Sequence, residues 1–320
     1  MTTGLRAGWA LSVGSLPHTD PRAAARLVLA ATTELPAAPQ LVARGEGMLV
    51  QLAPWMDGVA GTADGGLAVT GRPGPVGGGR GPDTPGWAGL GALLELAGPG
   101  AGWRPSWLKV QLAGPVTVAA ALVRAGVPAG TALPVTTAAV SAAVGDVVGW
   151  CRAASPAPGR QVLVCIDEPA LATGAADGWD VGQRRAALQA VLDAAGEAAD
   201  ATGLHCCGRA DWDLVAGLRP DLVSLPATAV DPEADAPALA RLLGAGSWLA
   251  WGVAGPRARL IGLWDRLARA GCDAGLLAGR ALVSPECGLA GLDEAAAAAA
   301  LTAAAELGRT LSAARREPAA

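Results

Sequence analysis

The stretch Lys109-Val110-Gln111-Leu112-Ala113-Gly114-Pro115-Val116-Thr117 is a short apolar run that ends at a Gly-Pro turn. An Ala- and Val-rich stretch with helical spacing follows it. The same order recurs at Val164-Cys165-Ile166-Asp167-Glu168-Pro169-Ala170-Leu171, where an apolar run ends at two acids and a proline. Strands that alternate with helices in this way are typical of βα units on a parallel sheet.

The alternation extends over most of the chain. We predict strands at residues 8–14, 35–42, 107–113, 161–167, 202–207, 221–225, 247–253 and 280–284. Eight βα units match a closed (β/α)8 barrel better than an open sheet. The sequence therefore predicts an α/β protein, a single (β/α)8 TIM barrel over residues 1–320, with an Ala-rich helix at 292–316.

Residues 58–102 break this alternation after the second strand unit. The segment is rich in Gly and Pro and contains GRPGPVGGGRGPDTPG at positions 71–86. We expect an insertion over the barrel, a hairpin with a mobile lid. A passive surface loop is an equally good interpretation.

Composition excludes several classes of protein. A net charge of −4 provides no basic surface for nucleic acid and no polybasic membrane patch. The uncharged run at 125–145 contains Pro128 and Pro134 and is a poor membrane helix, and the N-terminal stretch is too short and Gly-broken for a secretory signal. We expect a cytoplasmic protein whose 6 cysteines are core thiols or metal ligands rather than a disulfide framework.

The sequence places one histidine and two cysteines at predicted strand ends. Residues two apart on a strand share a face, so His205 and Cys207 project together, while Cys206 points the other way. Cys287, in Val283-Ser284-Pro285-Glu286-Cys287-Gly288-Leu289, follows the last predicted strand. One nitrogen and two sulfur donors suit zinc. Buried thiols near a lone histidine are the alternative.

Three further segments carry polar groups near predicted strand ends. Asp167 and Glu168 end an apolar strand, where either could bind a substrate ammonium group or cap the next helix. The turn at Gly14 and Ser15 exposes amides that favour a carboxylate or phosphate. Glu46 follows the second strand, and a first-turn helix acid is the alternative interpretation.

Together these segments and the G-P-V-T element at 114–117 resemble the catalytic C-terminal barrel of the cobalamin-independent methionine synthase family, in a short single-barrel form. The G-S-x-P, G-P-V-T, I-D-E-P-A-L, H-x-C and C-G-L motifs run in the family's order from Val13 to Leu289. The same barrel superfamily includes uroporphyrinogen decarboxylase and zinc methyltransferases that act on small thiols.

The resemblance implies a zinc-dependent methyltransferase of methionine biosynthesis that methylates the thiol of homocysteine. His205, Cys207 and Cys287 look like three of the family's zinc ligands. The turn of Val13, Gly14 and Ser15 resembles the one that holds the homocysteine carboxylate. Glu46 and Asp167 resemble the two acids that bind its amino group. Zinc would deprotonate the substrate thiol, and three protein ligands leave a position open for its sulfur.

The chain departs from the family where the methyl donor and a further ligand would be held. Pro226 stands at the place of the zinc-binding Glu, and Ala254 near that of the acid His. The range 119–121 is three alanines where the Trp that stacks on folate is expected. These departures disfavour folate and favour a methylated corrinoid protein as donor. His18 is a candidate to replace a lost ligand or acid, and an ordinary helix-start histidine is the simpler interpretation.

Two other functions stay open on the sequence. The missing Glu, His and Trp are compatible with a non-catalytic or repurposed barrel that binds zinc or a small amino acid. A tetrapyrrole decarboxylase would need several arginines around its pocket. The predicted strand ends offer few, so we rank this third.

Overall fold

The computed structural model describes residues 4–154, 159–176 and 178–314. Its strands are β1 (Ser15–Leu16), β2 (Gln40–Leu41), β3 (Met56–Gly61), β4 (Leu67–Pro75), β5 (Trp107–Ala113), β6 (Gln161–Asp167), β7 (Ala201–His205), β8 (Leu222–Pro226), β9 (Trp248–Gly252) and β10 (Ala281–Ser284). Its α-helices are α1 (Pro21–Ala31), α2 (Ala88–Leu96), α3 (Pro115–Arg124), α4 (Ala129–Ala153), α5 (Val181–Ala198), α6 (Trp212–Leu218), α7 (Pro232–Ala245), α8 (Arg257–Arg269), α9 (Ala274–Gly279) and α10 (Glu294–Ala314).

A curled, six-stranded parallel sheet forms the centre of this α/β fold, in the order β10-β9-β8-β7-β6-β5. Both of its edges pair with the N-terminal part of the chain. Ala10 forms a parallel bridge with Val283 of β10, and Ala37 forms one with Lys109 of β5. Between these two contacts, β1 pairs in parallel with β2. The α/β class with a parallel sheet is thus confirmed.

The predicted strand positions agree best in the six-stranded sheet. The predictions for 107–113 and 161–167 coincide with β5 and β6, and the other four differ from β7 to β10 by one or two residues at their ends. The prediction for 8–14 missed the first strand: the range contains only the bridge at Ala10, and β1 follows at Ser15–Leu16. The prediction for 35–42 was too long, since β2 covers Gln40–Leu41 alone. Gly8 and Gly14 have φ values of +83° and +139°, which an extended strand does not adopt. Pro36 and Pro39 lack the amide that a strand pair needs.

Two apolar cores lie on the two faces of the sheet. Alternate residues of β5 separate: Trp107 belongs to the inner core, whereas Leu108, Val110 and Leu112 pack outward against the helices. Seven of the eight predicted strands contribute one buried residue each to the inner core, and Ala201 at the start of β7 and Leu5 complete it. These seven residues are Leu11, Leu35, Trp107, Leu163, Leu222, Ala250 and Leu282. Trp107 fills volume there in a chain that has no Phe or Tyr.

The insertion begins with an antiparallel hairpin of β3 and β4, so the hairpin prediction is confirmed. The Gly- and Pro-rich loop that follows is fastened to α4 through Asp146. Its carboxylate accepts hydrogen bonds from Gly79 N at 2.7 Å, Arg80 N at 2.9 Å and Trp55 Nε1 at 2.9 Å. The ring of Trp150 lies 6.2 Å from that of Trp55. Mobility of this segment as a lid stays a prediction.

Among the described residues, one helix, α4, is long and apolar enough to cross a membrane. However, 56% of its apolar window is buried inside the protein. The helix packs on α3, α5 and strands of the sheet, and Pro134 lies within it. The apolar character of α4 therefore serves the core. The predicted terminal helix at 292–316 corresponds to α10, and residues 315–316 lie outside the described part.

Candidate active site

Three buried polar residues lie side by side at the carboxyl ends of neighbouring strands. Asp167 is the last residue of β6, and in the strand register it pairs with His205, the last residue of β7. His205 in turn pairs with Ser224 of β8. Each of the three is no more than 6% exposed. The sheet thus holds a carboxylate, an imidazole and a hydroxyl in one row.

Ser224 sets the orientation of the His205 ring. Nδ1 of His205 lies 3.0 Å from the Ser224 hydroxyl and 3.2 Å from the Ser224 carbonyl oxygen. Because a carbonyl oxygen only accepts, this second contact favours a proton on Nδ1. In the neutral ring, Nε2 then keeps its lone pair for a thiol or a metal ion.

The two cysteines of the predicted zinc site meet each other and His205. Cys287 forms side-chain hydrogen bonds with both Cys207 and His205. The hydrogen bond from Cys207, followed by the one from His205, holds the pKa of Cys287 well below its usual range. The same hydrogen bond, together with burial, raises the pKa of Cys207. Cys206 is fully buried in the outer core, as its position between His205 and Cys207 predicted.

The donor set fits zinc in its chemistry, because it offers one imidazole nitrogen and two sulfurs, and Cys287 contacts the other two residues. Cys207 and Cys287 are free cysteines that share a hydrogen bond with each other. Among the described residues, no group of three or more His, Cys, Asp or Glu side chains is placed to hold a metal ion. Binding of zinc would therefore require Cys207 and Cys287 to exchange their shared hydrogen bond for a common ion.

Asp167 offers an oxygen that the fold does not use. Oδ1 is buried and has no hydrogen-bond partner among the described residues, while the Cys165 thiol bonds to the carboxylate. Burial raises the pKa of Asp167, and the positive charges of Lys109 and His205 oppose the shift. Lys109 is also buried, and its Nζ donates to the Val13 carbonyl oxygen at 2.7 Å. Lys109 thus ties the Val13 turn to the strand next to Asp167.

The turn of Val13, Gly14 and Ser15 packs directly on the Cys287 loop. The Leu289 amide donates to the Ser15 carbonyl oxygen at 2.9 Å. A methyl group on Gly288 would lie only 2.0 Å from the Ser15 hydroxyl oxygen, so the two segments touch. Gly14 combines a φ of +139° with the Gln111 side chain in the space of a Cβ, and both features require glycine.

Two glutamates cap helices that differ from those expected. The Glu168 carboxylate accepts from Val116 N and Thr117 N, both at 2.9 Å, and from the Thr117 hydroxyl at 2.6 Å. It therefore caps α3, the preceding helix, and the expectation that it caps the next helix was wrong. Burial raises its pKa to about 7. This carboxylate therefore joins the first turn of α3 to the residue that follows β6.

Glu46 is likewise a cap, but for a helix far along the chain. Its carboxylate accepts from Ala88 N at 2.9 Å, Gly89 N at 3.3 Å and Leu41 N at 3.2 Å. It thus fastens the start of α2 to the end of β2, and the first-turn interpretation was wrong. Burial raises its pKa. A role of Glu46 in binding an amino group stays a prediction.

The remaining predicted positions lie around this site. His18 is buried and its Nε2 is 3.9 Å from Glu294 of α10, so its catalytic role stays a hypothesis. Pro226 ends β8 and Ala254 is exposed after β9. Residues 119–121 are buried on α3, which leaves no room there for a stacking surface.

The roles of Ser224 and of the buried Lys109 side chain were not predicted from the sequence. Ser224 is the single polar residue in the apolar run Leu222-Val223-Ser224-Leu225-Pro226, and this is a usable signal. Lys109 is the only lysine of the chain and lies within an apolar strand. A buried charge in such a run must find partners, which points to a functional or positioning role.

No protein-family model and no curated protein matches the sequence. The structure is similar to a methyltransferase from Methanosarcina mazei, with a TM-score of 0.56 and 17% identity. The alignment covers 95% of this chain and 94% of that one. The chain therefore shares the fold of that methyltransferase over 95% of its length.

Proposed function

We propose that this protein is a zinc-dependent methyltransferase that transfers a methyl group to the thiol of homocysteine and forms methionine. The observation that carries the proposal is that Cys287 has both Cys207 and His205 as side-chain hydrogen-bond partners at the carboxyl edge of the sheet. The similarity in fold to a methyltransferase supports the reaction class. The likeness of the motifs to those of methionine synthases supports the acceptor.

The proposal includes a closed (β/α)8 barrel. The N-terminal segments bridge the two edges of the six-stranded sheet at Val283 and Lys109. The inner core draws one buried side chain from each of seven predicted strands and another from Ala201 at the start of β7. In barrels of this type, the carboxyl ends of the strands carry the chemistry, and His205, Asp167 and Cys287 lie there.

The chain's own residues would bind and orient the substrate. Zinc, when bound by His205, Cys207 and Cys287, would supply the positive charge that deprotonates the substrate thiol. Ser224 holds the His205 ring through Nδ1. The unpartnered Oδ1 of Asp167 is a buried acceptor for a substrate ammonium group. The turn at Ser15, which contacts the Cys287 loop, would receive the carboxylate.

The proposed methyl donor is a methylated corrinoid protein. Residues 119–121, where folate would stack, are buried on α3 and offer no surface to a folate ring. A protein donor would instead approach the exposed Cys287 at the carboxyl edge.

Metal analysis and a methyl-transfer assay test the proposal together. Protein purified without chelator should contain about one zinc per chain and form methionine from homocysteine with methylcobalamin as a donor analogue, and far less with a methylated folate. Cys207→Ser and Cys287→Ser should lose zinc and activity. Cys206→Ala, a change of the neighbouring thiol that faces the outer core, is the matched control. Zinc content unaffected by Cys207→Ser would refute the proposal.

A second function is favoured by one observation. The described residues contain no preformed group of metal ligands, which is compatible with a repurposed protein that binds a small amino acid or zinc without turnover. Calorimetry with homocysteine would then detect binding, while no donor supports methionine formation. Robust methionine formation would exclude this alternative.

A further inference from the structure

A cavity of about 360 Å³ opens next to the candidate active site. It lies between the segment after β8, the segment after β9 and helix α8. Its lining includes Thr228, Val253, Arg259, Arg266 and Glu286. Glu286 immediately precedes Cys287, so the cavity and the thiol pair share one loop.

Two contacts join the residues that line the cavity to the Cys287 loop. The Thr228 hydroxyl donates to Glu286 Oε1 at 2.9 Å and joins the β8 segment to the Cys287 loop. Gly252, the last residue of β9, has no space for a side chain, because a Cβ there would lie 2.8 Å from the Glu286 Cα. Ser224, which holds His205, is on the strand that leads into Thr228. The loop of Glu286 and Cys287 therefore separates the cavity from the candidate active site and is part of both.

The charge of the cavity is positive. Arg259 and Arg266 are seven residues apart on α8, two helical turns, and therefore lie on one face. Neither takes part in an ion pair within the described part of the chain. The one acid in the lining, Glu286, is bonded to Thr228. Both arginines are exposed and have no acidic partner among the described residues, so their guanidinium groups are available to bind an external anion.

Position distinguishes this cavity from two others whose linings also contain a pair of arginines. Both lie at the amino ends of the strands. One is lined by Arg219 and Arg280, which precede β8 and β10. The other is lined by Arg6 and Arg309, from the N-terminal part of the described chain and from α10. The chemistry proposed above is at the opposite edge. Only the cavity of Arg259 and Arg266, of these three, can contact a molecule that also reaches Cys287.

We propose that Arg259 and Arg266 form an anion subsite that binds a phosphate or carboxylate group of the second substrate, the methyl donor. The inference rests on the proposed function, since it takes the thiol site as the place of transfer. The guanidinium groups would bind the anion, while the methyl group of the donor would extend past Glu286 to the substrate thiol held beside Cys287. Exposed side chains keep the subsite open to a large donor.

Calorimetric titration of the whole protein with two probes tests the subsite. Pyrophosphate represents a phosphate group and citrate a carboxylate group, and the probe that binds more tightly identifies the chemistry. The double variant Arg259→Gln/Arg266→Gln should raise the Kd of that probe by about tenfold or more, because two charge-assisted hydrogen-bonding groups are removed. Arg269→Gln removes the same charge from the exposed end of α8 outside the cavity and should change the Kd by less than about twofold.

The outcomes separate this proposal from the proposed function, because binding is measured without turnover. An equal Kd for the double variant, Arg269→Gln and the unchanged protein, or no binding of either probe, would overturn the subsite. Arginine-dependent binding in a protein without methyl transfer would reject the proposed donor reaction and leave the anion site standing. With an active enzyme, the double variant should also raise the KM of the donor by about tenfold and leave the KM of homocysteine unchanged.

Discussion

The hydroxyl of Ser224 lies 3.0 Å from Nδ1 of His205, on the adjacent strand of the sheet. This contact links the β8 strand to the imidazole that bonds Cys287. A partner on the far nitrogen fixes the ring and its tautomer, and the loss of such a partner typically weakens a metal site.

Ser224→Ala removes the hydroxyl and keeps the Ser224 carbonyl oxygen near Nδ1, so it should weaken zinc binding at the proposed site by about tenfold and leave the fold intact. Competition with a chromophoric chelator measures the zinc affinity, and urea unfolding measures the stability. Ser247→Ala is the matched control, since its hydroxyl is likewise buried and hydrogen-bonded, but donates to the Pro220 carbonyl oxygen at the amino edge. Equal zinc affinities for the two variants would show that Ser224 does not orient the site.

The sequence predicted the parts of the fold that depend on local patterns. β5 and β6 are apolar runs that end at Gly-Pro and Asp-Glu-Pro, and their bounds were predicted to the residue. The strand predicted at 8–14 is not formed, although the run is apolar enough, because Gly8 and Gly14 at its two ends have positive φ values. Apolar content reports burial, while the backbone dihedral angles of glycine depend on tertiary contacts.

The candidate site was predictable where side-chain alternation decides it. His205 and Cys207 face one way and Cys206 the other because strand residues alternate. The roles of Glu46 and Glu168 were not predictable from spacing. Each caps a helix that is distant in sequence or precedes it, and only the packing of the units brings those amides to the carboxylates.

Glu168→Ala should destabilise the protein by about 3 kcal/mol, because it removes an acceptor for two amides and one hydroxyl in a fully buried place. Urea unfolding at neutral pH measures the change. Asp273→Ala removes an exposed cap of α9 with one hydrogen bond to Leu276 N, and should cost about 1 kcal/mol. Equal losses for the two variants would contradict a buried network at Glu168.

The pH dependence of stability should report the burial of Glu46. Burial raises its pKa, so the folded protein binds this proton more tightly than the unfolded chain does. The stabilisation from this proton is present below the unfolded pKa of about 4.3 and is lost as the pH rises through the higher folded pKa. Unfolding midpoints should therefore fall more steeply with rising pH for the unchanged protein than for Glu46→Gln. Glu34→Gln, at an exposed position, is the control and should leave the slope unchanged.

Asp146 should decide whether the Gly- and Pro-rich loop can open. Its carboxylate accepts from Gly79 N, Arg80 N and Trp55 Nε1, so Asp146→Ala frees the loop from α4 and should cost about 2 to 3 kcal/mol. Limited trypsin digestion with mass spectrometry should then detect faster cleavage after Arg80. Asp64→Ala changes an exposed acid in the turn of the β3–β4 hairpin and should leave that rate unchanged. If the unchanged protein is cut at Arg80 as fast as Asp146→Ala, the carboxylate does not restrain the loop, and a lid would need no release from α4 to move.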